Sequence, residues 1–176
     1  MARFREYSLG RQLALQFLYG LDFSDLDWRL ALPEFWKMDP VAVSLGWAGN
    51  AERKAVPETA EEAAAFANAR AFAETLIEGT CAARQELESL LTGALDNWRP
   101  ERVGRIEWVI LRMALYELQY CPEHPDAVVI SEANRLATLF GDDESPRFIS
   151  GVLNRFLGNK RGEQEEFSSP PKEPPE

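Results

Sequence analysis

Residues 106–157 read IEWVILRMALYELQYCPEHPDAVVISEANRLATLFGDDESPRFISGVLNRFL, three apolar-periodic segments separated by two short polar breaks. Ile106, Val109, Ile110, Met113 and Ala114 follow the three-four spacing of one helix face, and Glu117 is its first polar occupant. In the break CPEHPD, Pro125 suits the first turn of a helix, where no amide proton is needed. Ile130, Ala133, Leu136, Ala137 and Phe140 repeat the period, and Gly141 is read as a left-handed stop. Ser145 then offers an N-cap and Pro146 a first helical residue, before an apolar face of Phe148, Ile149, Val152, Leu153, Phe156 and Leu157. The stretch predicts three amphipathic helices.

Working outward, Leu9, Leu13, Phe17 and Leu21 predict a first helix over 8–22, with Met1 to Tyr7 as a mobile basic arm. Gly10 is expected to weaken its first turn. Thr59 with Glu62 is a capping box that opens a long helix, punctuated at Gly79 and Thr80. A further helix follows, with Leu87, Leu90, Leu91 and Leu95 inward. Residues 24–58 contain Pro33, Pro40 and Pro57, which shorten any helix, yet Trp28, Phe35, Trp36 and Trp47 are too many aromatics for a free linker. They read as an irregular excursion docked on the helical body. Residues 162–176 are acidic and proline-rich and read as a disordered tail. The expected architecture is all-α, about seven helices in a single domain over 1–161.

A chain of 176 residues can bury a core without staples. No run approaches a membrane span and the N-terminus lacks an apolar leader, which sets the expectation of a cytoplasmic protein. The formal charge of −10 argues against a broad nucleic-acid footprint. Its distribution softens that: +1 over 1–23, −2 over 24–50, −5 over 51–96, zero over 97–162 and −4 over 163–176. A local basic face remains compatible with it.

Catalytic signals are missing. The single histidine, His124, lies in a proline-bounded turn; no phosphate loop occurs, and no Cys/His set has zinc-finger spacing. Cys81 and Cys121 lack a CxxC partner and fit reduced thiols. Asp142, Asp143 and Glu144 lack the spacing of a calcium loop and are read as charge favouring the N-terminus of the last helix. Neither an enzyme, a cofactor nor a metal is expected.

ILRMALYEL at 110–118, ISEANRLATLFG at 130–141 and PRFISGVLNRF at 146–156 resemble, in order and spacing, the C-terminal half of the NusB transcription antitermination proteins. RQLALQFLY at 11–19 looks like the first helix of that family. Two departures stand out: Ser150 replaces the family's usual Asn before Gly-Val-Leu, and arginines carried by some relatives are missing around Tyr7, Ser8 and Leu9.

The resemblance implies an antitermination factor that binds boxA RNA together with the ribosomal protein NusE. It implies work within the RNA polymerase antitermination complex, notably in ribosomal RNA operons. It places RNA at Arg11, Gln16, Tyr19, Arg147 and Phe148, with Arg3 and Arg5 from the arm standing in for the missing arginines. Basic side chains along phosphates and aromatics under splayed bases are what single-stranded RNA needs. Glu74, Glu78, Glu107, Tyr116 and Glu117 are the candidate surface for a basic protein partner. Two rival readings remain. One is an interaction module of the same fold with weak or lost RNA binding, using the aromatic excursion. The other is a stand-alone relative of the RNA-binding domain of ribosomal RNA cytosine methyltransferases, whose catalytic domain would have to follow. Monomer and homodimer are both open.

Overall fold

The structure, a computed structural model, describes the backbone of residues 2–41, 57, 59–95 and 103–168, and the side chains of these residues except 2–5 and 161–168. Seven helices are present among the described residues: α1 (Ala2–Leu21), α2 (Trp28–Lys37), α3 (Ala60–Ala82), α4 (Arg84–Ala94), α5 (Arg105–Tyr120), α6 (Asp126–Phe140) and α7 (Ser145–Ser168). There is no strand among them. Trp47 and residues 169–176 of the tail lie outside the described residues, and the backbone of α7 is helical through Ser168.

Helix α5 is the axis of the fold. Val109, Ile110, Leu111, Met113, Ala114, Leu115 and Leu118 are all buried, and so are three charged residues, Glu107, Arg112 and Glu117, so the helix is enclosed on most sides. It packs against α1, α3, α4, α6 and α7. The last two form a helical hairpin closed by Val129, Ala133, Leu136, Ile149, Val152 and Leu153. Ser150, the departure from the family, hydrogen-bonds across that hairpin. Asn134 Nδ2 donates to its Oγ at 2.7 Å and its hydroxyl lies 2.9 Å from Asn134 Oδ1.

Helix α1 lies along α3, and this contact corrects the expected mobile arm. The helix begins at Ala2, because residues 6 and 7 already have partners on α3. Tyr7 meets the Phe72 ring edge-on at 4.8 Å, and Asn68 Nδ2 donates to Glu6 at 3.2 Å. Gly10, far from being a weak first turn, is buried mid-helix against Ala69 and Phe72. Its missing side chain is what lets the two helices approach.

Other local expectations shift by a residue or change their reason. The capping box holds: Thr59 Oγ1 accepts from Glu62 N at 3.1 Å. Gly79 and Thr80 do not end α3, which continues to Ala82. Gly79 instead leaves room for the Tyr116 ring, which a Cβ there would strike. Pro125 precedes α6 as its N-cap in extended conformation. Gly141 is extended too (φ −94°), not left-handed; a Cβ on it would sit 2.5 Å from Ser145 Oγ and 2.8 Å from Ala137 O. Ser145 is already the first residue of α7, and Asp142 caps that helix instead. Its Oδ1 accepts from the backbone amides of Glu144 at 3.0 Å and Ser145 at 2.9 Å. These bonds, led by the one from the Ser145 hydroxyl, hold the Asp142 carboxyl below its ordinary pKa.

The excursion supplies α2, a ten-residue helix that keeps Pro33 in its interior. Docking overrides the propensity cost there. Leu32 is buried, Phe35 meets Phe17 edge-on at 5.3 Å, and the Arg70 guanidinium lies 4.7 Å from the Trp36 ring.

Candidate nucleic-acid interface

The end of α1, the start of α5 and the end of α6 enclose an open pocket of about 330 Å³ lined by Leu15, Gln16, Tyr19, Gly104, Arg105, Ile106, Glu107 and Phe140. Gln16 and Tyr19 reach it because they lie one turn apart on α1, on the side away from α3. Tyr19 and Phe140 are among the few large apolar side chains left in solvent, at 37% and 40% exposure. Phe23 extends the aromatic surface, edge-on to Tyr19 at 5.0 Å. The Arg105 guanidinium stacks 4.3 Å above the Phe23 ring and donates to the Asp22 carbonyl at 3.0 Å. An exposed cation thus stands fixed among three exposed rings.

The pocket's inner wall connects it to the last helix. Glu107 is buried there and shares the single Ser145 hydroxyl proton with Asp142, making the shorter of the two contacts. This contact ties the first turn of α7 beneath the pocket and places Arg147, exposed, two residues further along the same turn. Phe148 is half-buried against the core.

Several expected site residues are therefore brought together and others are not. Gln16 and Tyr19 share the pocket, while Arg147 and Phe148 follow from the α7 turn beneath it. Arg3 and Arg5 belong to the backbone of α1, but their side chains lie outside the described residues. Arg11 is corrected. Only 3% exposed, it donates from Nε to Glu117 Oε2 at 2.9 Å and makes a second, shorter bond from Nη2 to Glu117 Oε1. Glu132 lies 3.7 Å from its Nη1, and the Phe72 ring 5.1 Å from its Cζ. A guanidinium held by a fully buried carboxylate is not offered to phosphate.

The same pair corrects Glu117 as a partner contact, and the Ser145 bond does so for Glu107. Both carboxylates point inward. Glu74, Glu78 and Tyr116 do share the α3–α5 face: Glu78 is exposed, Glu74 pairs with Arg70 at 2.9 Å, and Tyr116 stacks on Tyr120 at 5.3 Å. Burial, then the nearby Cys121, Glu123 and Glu78, pushes the Tyr116 hydroxyl pKa up. The sequence reading missed Arg105, Phe23 and Phe140. Phe23 had a signal, four residues beyond Tyr19; Arg105 and Phe140 join the site only through tertiary packing.

Both thiols are muted by the fold. Burial, outweighing the nearby arginines, pushes Cys81 up to about 11, and burial with Glu123 and Glu117 does the same for Cys121. Since the thiolate is the nucleophile, alkylation by iodoacetamide at pH 8 should run about 100-fold slower at each than at an unperturbed cysteine. The check is the loss of free thiol over time, with the denatured chain as reference; equal rates would contradict this burial.

An all-helical domain with an aromatic and cationic pocket where its first, fifth and sixth helices meet is the class of protein that fold and site define. Residues 9–158 match the NusB family. The chain is 37% identical over 144 residues to the transcription antitermination protein NusB of Oleidesulfovibrio alaskensis, covering 82% of each chain. To that of Geobacter sulfurreducens it is 36% identical over 146 residues, covering 83% of this chain and 89% of the relative. Its fold matches a crystal structure of antitermination factors NusB and NusE in complex with dsRNA, with a TM-score of 0.63 at 19% identity, over 90% of this chain and 99% of that one. Thermotoga maritima NusB gives the same TM-score at 22% identity, over 89% of this chain and 96% of that one. The chain belongs to the NusB family of transcription antitermination proteins. It is accordingly a transcription factor and not an enzyme.

Proposed function

We propose that this chain promotes read-through by RNA polymerase by holding boxA RNA of the nascent transcript, notably in ribosomal RNA operons, jointly with NusE. One observation carries the RNA site: exposed Tyr19, Phe23 and Phe140 surround a fixed Arg105 at a pocket with Gln16 on its wall. Base stacking and a nearby cation are the two ingredients of single-strand recognition. Arg147 and Phe148 extend the surface along α7, and Arg3 and Arg5 are proposed as further phosphate contacts of the chain, apart from the pocket. The structure containing NusB, NusE and dsRNA supports this reading through its shared fold.

NusE, as a basic ribosomal protein, fits the acidic α3–α5 face at Glu74, Glu78 and Tyr116 by charge complementarity. The functional unit is the single domain over residues 1–161, and it works in the cytoplasm, where transcripts are made. No helix among the described residues is long and apolar enough to cross a membrane. The chain acts within the RNA polymerase antitermination complex, as a monomer or a homodimer.

Fluorescence anisotropy of a labelled boxA RNA with the NusE-bound protein tests this reading. Tyr19→Ala and Arg105→Ala should each weaken binding about tenfold or more, as expected for one lost stack or one lost cationic contact. Arg105→Ala should also flatten the salt dependence. Unchanged affinity in both would remove RNA from the pocket, and equal affinity for a scrambled RNA would remove boxA recognition.

A further inference from the structure

Among the described residues, the turn between α5 and α6 gathers the donor atoms of Cys121, Glu123 and His124 within 4.8 Å of one another. We propose that this turn binds a zinc-class divalent cation through Cys121 Sγ, the Glu123 carboxylate and His124 Nε2.

The donor set selects the kind of ion. One sulfur, one imidazole nitrogen and one carboxylate oxygen suit zinc and its borderline-soft neighbours rather than magnesium or calcium. Three protein ligands leave a fourth position for water. The sequence reading dismissed a metal because the paired zinc-finger spacing is missing. A proline-bounded CPEHP turn brings its three donors together by curvature instead.

His124 is already oriented as a ligand. Its Nδ1 lies 2.8 Å from Glu117 Oε1, the carboxylate that Arg11 anchors in the interior. The ring is wedged edge-on against Tyr7 at 5.4 Å and Phe72 at 5.3 Å. The close contact of Nδ1 with Glu117 is electrostatic and lacks hydrogen-bond alignment, so the two edge-on rings are what fix the orientation of the imidazole. The other ring nitrogen, Nε2, lies 4.0 Å from Glu123 Oε1. Two metal–ligand bonds of about 2 Å bridge such a gap with only a small closure. Glu123, with its side chain 67% exposed, is free to make it.

The charges also balance. Arg11 already neutralises Glu117, so the Cys121 thiolate and Glu123 carboxylate are left to match the two positive charges of the ion. Binding transfers the Cys121 thiol proton to solvent, about one proton per ion bound.

The test uses the full-length, untagged, reduced chain carrying Cys81→Ser, so that any thiolate signal comes from Cys121. Titration with cobalt(II) should produce a thiolate-to-cobalt charge-transfer absorption that saturates at one equivalent, disappears on adding zinc, and is accompanied by proton release. Glu123→Gln, at an exposed position that leaves folding intact, and His124→Gln should each weaken cobalt binding about tenfold or more. Cys121→Ser should abolish the charge-transfer absorption. A parent chain without that absorption, or parent-like affinity in both Glu123→Gln and His124→Gln, would overturn the site.

Discussion

Arg11→Ala is expected to lower the free energy of unfolding by about 3–5 kcal/mol, read from urea denaturation followed by circular dichroism. The residue looks like a surface contact, since it stands among basic residues near the start of the chain. Its guanidinium instead crosses the core to α5, where Glu117 is 1% exposed and accepts both of its bonds. Truncating it leaves the buried carboxylates of Glu117 and Glu132 without their guanidinium, and that penalty dominates the loss. Arg11→Met combined with Glu117→Met should recover part of the stability, because it removes the Glu117 charge but leaves buried Glu132 without Arg11. Where Arg11→Ala is still folded, its affinity for boxA RNA should exceed that of Tyr19→Ala. Parent-like stability in Arg11→Ala would show that the pair does not form, and would return Arg11 to the RNA surface.

Gly10→Leu is expected to cost about 3 kcal/mol or more, and Gly10→Ala about 1–3 kcal/mol, by the same measurement. Helix propensity alone predicts the opposite sign for alanine, a gain of about 1 kcal/mol. Packing wins because a Cβ at residue 10 would meet the Ala69 carbonyl oxygen and Phe72 Cδ1, both at 2.8 Å. The carbonyl belongs to the α3 backbone, so relief requires moving the whole helix. Phe72 in turn supports both Tyr7 and His124 edge-on. Gly20, where a Cβ would meet nothing within 4 Å, is the control: Gly20→Ala should not destabilise. A neutral Gly10→Ala would mean that α1 and α3 lie further apart than this close approach.

The helices were legible in the sequence because their cause is local. The stripe from Ile106 to Ala114, the capping box at Thr59 and the apolar face of α7 each depend on residues within a turn or two of one another. The motifs at 110–118, 130–141 and 146–156 carried the family for a similar reason, as contiguous blocks. Punctuation was less reliable. Gly10, Gly79 and Gly141 were read for what they do to their own backbone, whereas each is required by a neighbour distant in sequence or one turn ahead: Phe72, Tyr116 and Ser145.

The candidate site divides along the same line. Tyr19 and Gln16 were found because the family pattern contains them, and Arg11 was misplaced because a charged letter does not disclose its burial. By itself the sequence determined seven helices, their apolar faces and the family, since those follow from short-range periodicity and contiguous motif. Only the tertiary structure decided that Arg11 and Glu117 are one buried pair, that Arg105 and Phe140 join Tyr19 at a pocket, and that His124 faces Cys121 and Glu123 with Glu117 behind it. The physical reason is distance along the chain. Arg11 and Glu117 are 106 residues apart, and charge pairing over such a separation leaves no periodic trace in either segment.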